Sequence, residues 1–227
     1  MASFGKIKEE EVKEIYIVRH GETLLNALNR VQGWIDSPLT PKGISQARAL
    51  GQHFKEQGIY FTAAFSSDRG RALATAEEIL AAAQLPLEKV TPMEEWREFG
   101  FGEFEGRGNP EVISQVLAAN GYGSLEEAQL SRKAFRQMIT RTIPKLDQSG
   151  YAESEEAFNQ RLKQGLIQIF NYLEEHCGQR ALLLVHGVVM EQLWILLAAE
   201  QDLIPIKNGQ VLILTEEAGQ LELRLAD

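Results

Sequence analysis

The 227-residue chain has one cysteine, Cys177, which excludes an intramolecular disulfide and a thiolate zinc cluster and is read as a buried helix residue. Basic residues are also scarce: 23 Lys and Arg against 32 Asp and Glu leave a formal net charge of -9. Binding a nucleic-acid backbone requires clustered cations that displace counterions, so no nucleic-acid partner is expected. No apolar run approaches the roughly 20 residues that cross a bilayer, and residues 1–14 are polar and rich in Lys and Glu. No membrane contact and a cytoplasmic location are therefore expected. Internal repeats and low-complexity linkers are missing too. With 44% hydrophobic and 24% charged residues, the composition predicts one domain over residues 1–227 with a sizeable core.

What is present alternates. Residues 14–19 (EIYIVR) read as a buried strand ending at His20-Gly21. Thr40 offers an N-cap and Pro41 a first-turn residue for a helix carrying Ile44, Ala47, Leu50 and Phe54 at helical spacing until Gly58 closes it. Residues 61–65 predict a second strand, 70–83 an alanine-rich helix, and 87–91, between two prolines, a third strand. Ser154 caps a long helix with the apolar stripe Phe158, Leu162, Leu166, Ile169, Phe170, Leu173 and Cys177. Residues 181–185 (ALLLV) suit a central strand covered on both faces, followed by a helix over 187–199. Residues 210–215 and 221–225 form a hairpin turning at Ala218-Gly219. The order predicts an α/β fold, a three-layer α/β/α sandwich around a mostly parallel central sheet. Residues 106–150 break the alternation with helices alone and read as a helical insertion over the site.

In such sheets ligands sit beyond the carboxyl ends of the strands. Arg19 and His20 follow the first strand; Asp68, Arg69 and Arg71 the second; Glu94, Glu95, Arg97 and Glu98 the third; His186 the fourth. Phosphoryl transfer needs a nucleophile, cationic donors for the non-bridging oxygens and a proton for the leaving oxygen. Arginine forks pair bidentately with phosphate oxygens, and an imidazole attacks only when neutral. A local cradle of arginines can hold a phosphate or other anion inside an acidic protein.

The tract Arg19-His20-Gly21-Glu22-Thr23-Leu24-Leu25-Asn26 resembles the Arg-His-Gly-x-Thr-x-x-Asn signature of the histidine phosphatase (phosphoglycerate-mutase-like) superfamily. The resemblance continues along most of the chain, through Asp36-Ser37-Pro38-Leu39-Thr40, Ser66-Ser67-Asp68 with Arg71-Ala72, Trp96-Arg97-Glu98 with Phe101-Gly102, and Val185-His186-Gly187. It implies that His20 becomes phosphorylated, that Arg19, Arg71 and His186 hold the phosphoryl group, and that Asn26 and Thr23 add hydrogen bonds near it. It further implies Glu98 as proton donor, with a pKa expected to rise through burial and nearby Glu94, Glu95 or Glu105. Nitrogen attack needs no metal, so neither metal nor cofactor is expected.

The expected activity is metal-independent hydrolysis of a small phosphorylated substrate through a phosphohistidine on His20. A cofactor-dependent phosphoglycerate mutase is the alternative. The mutases carry an Arg-Arg-Ser-Tyr-like tract and an asparagine soon after the second His-Gly; this chain has Ser131-Arg132-Lys133-Ala134-Phe135 and Val188-Val189-Met190. Arg132, Lys133 and Arg136 still offer another cationic patch. A non-catalytic phosphate-binding module is the third reading. His53 and His176 are read as structural, Arg69 as solvated or paired with a carboxylate, and Glu22 as a loop hydrogen bonder. Phe135, Met138 and Ile139 either line an apolar pocket or pack the insertion.

Overall fold

Strands form where β-branched and leucine-rich runs can be covered on both faces, and the longest such runs lie side by side at the centre of the sheet. The computed structural model describes residues 12–85, 90–198 and 201–226. Six strands, β1 (Lys13–Arg19), β2 (Ala63–Ser67), β3 (Thr91–Met93), β4 (Arg180–Val185), β5 (Val211–Glu217) and β6 (Gln220–Leu225), form one sheet in the order β3-β2-β4-β1-β5-β6. The first four run parallel, and β5 and β6 are antiparallel. Ala181, Leu182, Leu183, Leu184 and Val185 of β4 are all fully buried.

Alternation along the strands feeds two cores. Ile15, Ile17, Leu183, Val185, Leu212 and Leu214 pack with helices α7 (Glu155–Glu175) and α8 (Gly187–Leu197), while Tyr16, Val18, Leu182, Leu184 and Ile213 meet α2 (Pro41–Glu56) and α3 (Gly70–Ala83) on the other face. This is the α/β sandwich expected. The Thr40 hydroxyl accepts the amide of Gly43 at 3.1 Å and Ser154 accepts that of Ala157, so both predicted N-caps operate. A one-turn helix, α1 (Leu24–Ala27), was not expected; Thr23 and Asn26 build it by capping each other's backbone.

Three helices, α4 (Asn109–Ala119), α5 (Leu125–Ala128) and α6 (Arg132–Leu146), occupy the strandless stretch. Ile139 and Ile143 of α6 are buried in the main core and Phe135 and Met138 lie half-buried against it, so the packing reading of this apolar face is the one observed.

Three expectations need correcting. The third strand is Thr91–Met93 rather than 87–91, of which 87–89 lie outside the described residues; β3 is the sheet edge, where Pro92 costs no ladder bond. The second strand begins at Ala63, two residues later than expected. Cys177 is exposed at φ +49°, beyond the His176 cap of α7, because the buried stripe stops at Leu173. The hairpin turns as predicted through Ala218 and Gly219, both at positive φ.

Candidate active site

Because β1, β2 and β4 are parallel neighbours, their carboxyl ends open on one edge of the sheet, and the next residues of each converge there. The His20 and His186 rings meet edge to face with centroids 5.1 Å apart. His20 Nδ1 lies 2.7 Å from the Gly21 carbonyl, which can only accept; the proton is therefore on Nδ1 and the lone pair on Nε2. Arg71 Nε donates to that Nε2 at 3.3 Å and to His186 Nδ1 at 3.2 Å. His186 Nε2 stands 2.8 Å from the Ser67 hydroxyl. Burial, then the charges of Arg71 and Arg19, hold the His20 pKa well below its ordinary value; burial first and Arg71 next do the same to His186. Both rings are neutral near pH 7.

Gly21 makes this approach possible. A Cβ there would lie 2.5 Å from the carbonyl oxygen of Gly43, and one on Gly43 would lie 2.1 Å from that of Glu22. The backbone behind His20 thus touches the first turn of α2 with no room for a side chain.

Two guanidiniums act on the His20 ring. Arg71, 1% exposed, donates to the carbonyls of Gly33 (2.7 Å) and Ile35 (2.8 Å) and to the Asp36 carboxylate (3.0 Å). Arg19 donates to the Ile206 carbonyl at 2.7 Å, while its Nε is buried without a partner. An orphaned cationic donor is costly to bury, and an anion is the partner it fits. Glu98 lies across the N-terminus of α8, accepting the amides of Val188 at 3.0 Å and Val189 at 3.2 Å, besides that of Phe99. Burial raises its pKa, opposed by those amides and by the charges of Arg71 and Arg136, and burial prevails. The carboxylates expected to help are engaged elsewhere: Glu94 pairs with Arg97, Glu95 accepts from Gln168, and Glu105 is turned onto the amides of Gly33, Trp34 and Ile35. The arrangement can accept an anion, present a neutral nitrogen to it, and offer a proton from a carboxyl group.

Residues 15–226 match the histidine phosphatase superfamily, branch 1. The chain belongs to that superfamily. It is 32% identical to a crystal structure described as phosphoglycerate mutase from Bacillus anthracis str. Sterne, with a TM-score of 0.86 and coverage of 96% of this chain and 94% of that one. A curated relative from Yersinia pestis, named as a probable phosphoglycerate mutase, GpmB, is 41% identical over 123 residues, spanning 45% of this chain and only 56% of the relative. A phosphoserine phosphatase of Entamoeba histolytica, solved in complex with 3-phosphoglyceric acid, shares the fold at 22% identity and a TM-score of 0.65, covering 93% of this chain and 94% of that one.

The superfamily signature residues Thr23 and Asn26 are spent largely on local structure. The Thr23 hydroxyl donates to Gln32 Oε1 at 2.6 Å, and Asn26 Oδ1 accepts from the Thr23 amide at 3.3 Å and from Asn208 Nδ2 at 3.2 Å. Two residues beside them escaped the sequence reading. Asn208 also donates to the His20 carbonyl at 3.0 Å, tying the His20 backbone to Asn26. Gln32 Nε2, like Arg19 Nε, is a buried donor without a partner among the described residues. Both sit in loops with no periodic signal.

Other polar residues near the site have local partners. Glu22 accepts from Thr40 and Lys42. His53 lies within α2, and His176 caps α7 while stacked on Tyr172. Arg69 pairs with Asp68 at 2.9 Å; partial burial raises the Asp68 pKa, but hydrogen bonds from Arg97 and Arg69 override it and hold it at about 2. Arg71 Nε meets both imidazoles whereas Arg69 is spent on Asp68, so Arg71→Gln should weaken binding of inorganic phosphate by roughly 10- to 100-fold, from charged hydrogen bonds of ~1.5–3 kcal/mol, and Arg69→Gln by less than about threefold. Titration calorimetry checks this; the reverse order would move the site away from His20.

Proposed function

We propose that this chain is a phosphomonoester hydrolase that works through a phosphohistidine on His20. One observation carries the reading: a neutral imidazole with Nδ1–H tied to the Gly21 carbonyl leaves Nε2 as its lone nucleophilic atom, at the point where Arg71 and His186 meet.

A phosphate monoester dianion enters between Arg19 and Arg71, and the Arg71 Nε–H moves from the imidazole nitrogens onto a phosphoryl oxygen. His186 contributes a donor once its proton sits on Nδ1 and the Ser67 hydroxyl donates to Nε2. Asn26 and Thr23 support the same pocket from the capping turn, Asn26 through its amide and Thr23 by orienting Gln32. His20 Nε2 then attacks phosphorus in line; the P–O bond to the alcohol breaks and Glu98 gives its proton to the departing oxygen. In the second displacement Glu98 takes a proton from water, whose oxygen attacks phosphorus, and the P–N bond breaks to release phosphate and free His20. Neither displacement needs a metal ion.

The names of the relatives favour a second reading, a cofactor-dependent phosphoglycerate mutase. Against it stand Val188 and Val189 after the second His-Gly, and the pairing of Arg132 and Arg136 with Glu191 of α8. Incubating the protein with chelator, 3-phosphoglycerate and a catalytic amount of 2,3-bisphosphoglycerate separates the two. Phosphate release equal to or faster than formation of 2-phosphoglycerate is expected, and isomerisation outrunning release by a large factor would make the chain a mutase.

A further inference from the structure

Besides its apolar contacts with the core, α6 sends two arginines to one buried carboxylate of α8. Arg132 and Arg136 stand one turn apart on α6, so both side chains leave the same helix face. Both end on Glu191 in the second turn of α8. Arg132 Nε and NH2 donate to Oε1 at 3.2 and 2.9 Å, and Arg136 pairs with Oε2. The Glu191 side chain is 3% exposed, against 18% for Arg136 and 45% for Arg132, so the anion lies innermost and the cations outside it.

Glu191 stands one turn along α8 from Val188, whose amide Glu98 accepts at 3.0 Å. The charges of Glu191 and Arg136 both act on Arg19, and that of Arg136 acts on Glu98. In the proposed reaction Glu98 meets the leaving oxygen, so the organic remainder of a substrate departs on the side where Arg136 and Glu191 stand.

Two guanidiniums alone would attract a second phosphate or a carboxylate on that remainder. Here the Nε and NH2 of Arg132, the edge suited to bidentate anion binding, are already engaged, and a buried carboxylate lies behind both cations. An incoming anion must compete with Glu191 for its donors and bear its repulsion.

We propose that Glu191 is a specificity-determining residue: by claiming Arg132 and Arg136 it tunes the site to phosphomonoesters whose remainder is uncharged and disfavours those with a second anionic group. This rests on the hydrolase reading for the substrate's orientation. Nothing in the phosphate pocket itself makes that distinction, since Arg19 and Arg71 meet only the transferring group.

Calorimetric titration of wild type and Glu191→Gln with inorganic phosphate, glycerol 1-phosphate, 3-phosphoglycerate and 2,3-bisphosphoglycerate tests it, alongside kcat/KM for phosphate release. In Glu191→Gln the last two ligands should bind about tenfold tighter, while the first two change by less than about threefold. The double variant Glu191→Gln/Arg136→Gln, which restores the net charge of the cluster, should return the ratio to that of wild type. Should Glu191→Gln fail to fold, Arg136→Gln alone should weaken the two-anion ligands several-fold and spare glycerol 1-phosphate. Equal changes for all four ligands, or looser two-anion binding in Glu191→Gln, would overturn the proposal. Wild-type protein that shows this binding pattern yet releases no phosphate would refute the hydrolase reading and leave the role of Glu191 standing.

Discussion

His20→Ala should lower phosphate release by at least about a thousandfold and remove the acid-labile phosphoenzyme entirely. Removing a nucleophile costs the whole covalent route, so what persists is only the electrostatic help that the arginines give to direct attack by water. No other group is placed to substitute. His186 is neutral and equally buried, but its Nε2 faces Ser67 and its Nδ1 shares the Arg71 proton. The variant should still fold, because the Arg71 Nε–H that His20 Nε2 accepts keeps His186 as its partner, and the backbone bonds of His20 to Val185 and Asn208 persist. Rapid quenching with radiolabelled substrate reads the intermediate, and a phosphoenzyme surviving in His20→Ala would show that another residue is the nucleophile.

Loss of the proton on Glu98 should divide substrates by their leaving group. Glu98→Gln should slow alkyl phosphates by roughly 10²- to 10⁴-fold, the usual contribution of a general acid, and aryl phosphates with good leaving groups far less. Equal losses on both would assign the proton elsewhere. The same carboxyl predicts a pH profile. Burial raises its pKa, so the protonated form persists above the ordinary carboxylate range, and alkyl phosphate turnover should fall as pH rises through that raised value. Burial and two cations lower the pKa of His20, so the acid limb should lie below the ordinary imidazole value near 6.5. The kcat/KM profile of wild type should therefore be bell-shaped, with Glu98→Gln losing the alkaline limb for aryl substrates. An alkaline limb unchanged in that variant would mean that a different acid titrates.

The parts of this site that could be read from sequence are those tied to strand ends. Residues 14–19 and 181–185 announce themselves by composition, and each strand end fixes the position of its next residue, so Arg19, His20 and His186 could be placed at one edge without coordinates. Arg71 and Glu98 needed the motif resemblance as well, because Arg69 and Glu94 lie as close to their strands. Gln32, Asn208 and Glu191 were illegible for a different reason. Each acts through a partner far along the chain or within an irregular loop, and no period records such pairs. The third strand failed because a three-residue edge segment containing proline carries almost no pattern, and Cys177 because a stripe can outrun its helix by one turn.

The contact between Gly21 and Gly43 limits how this protein can change. With main chain pressed on main chain directly behind His20, a larger residue at either position would push the imidazole off its line. The backbone floor beneath His20 is therefore closed to gradual variation, and divergence falls to side chains off it, with Arg132 and Arg136 of α6 and Glu191 of α8 among them.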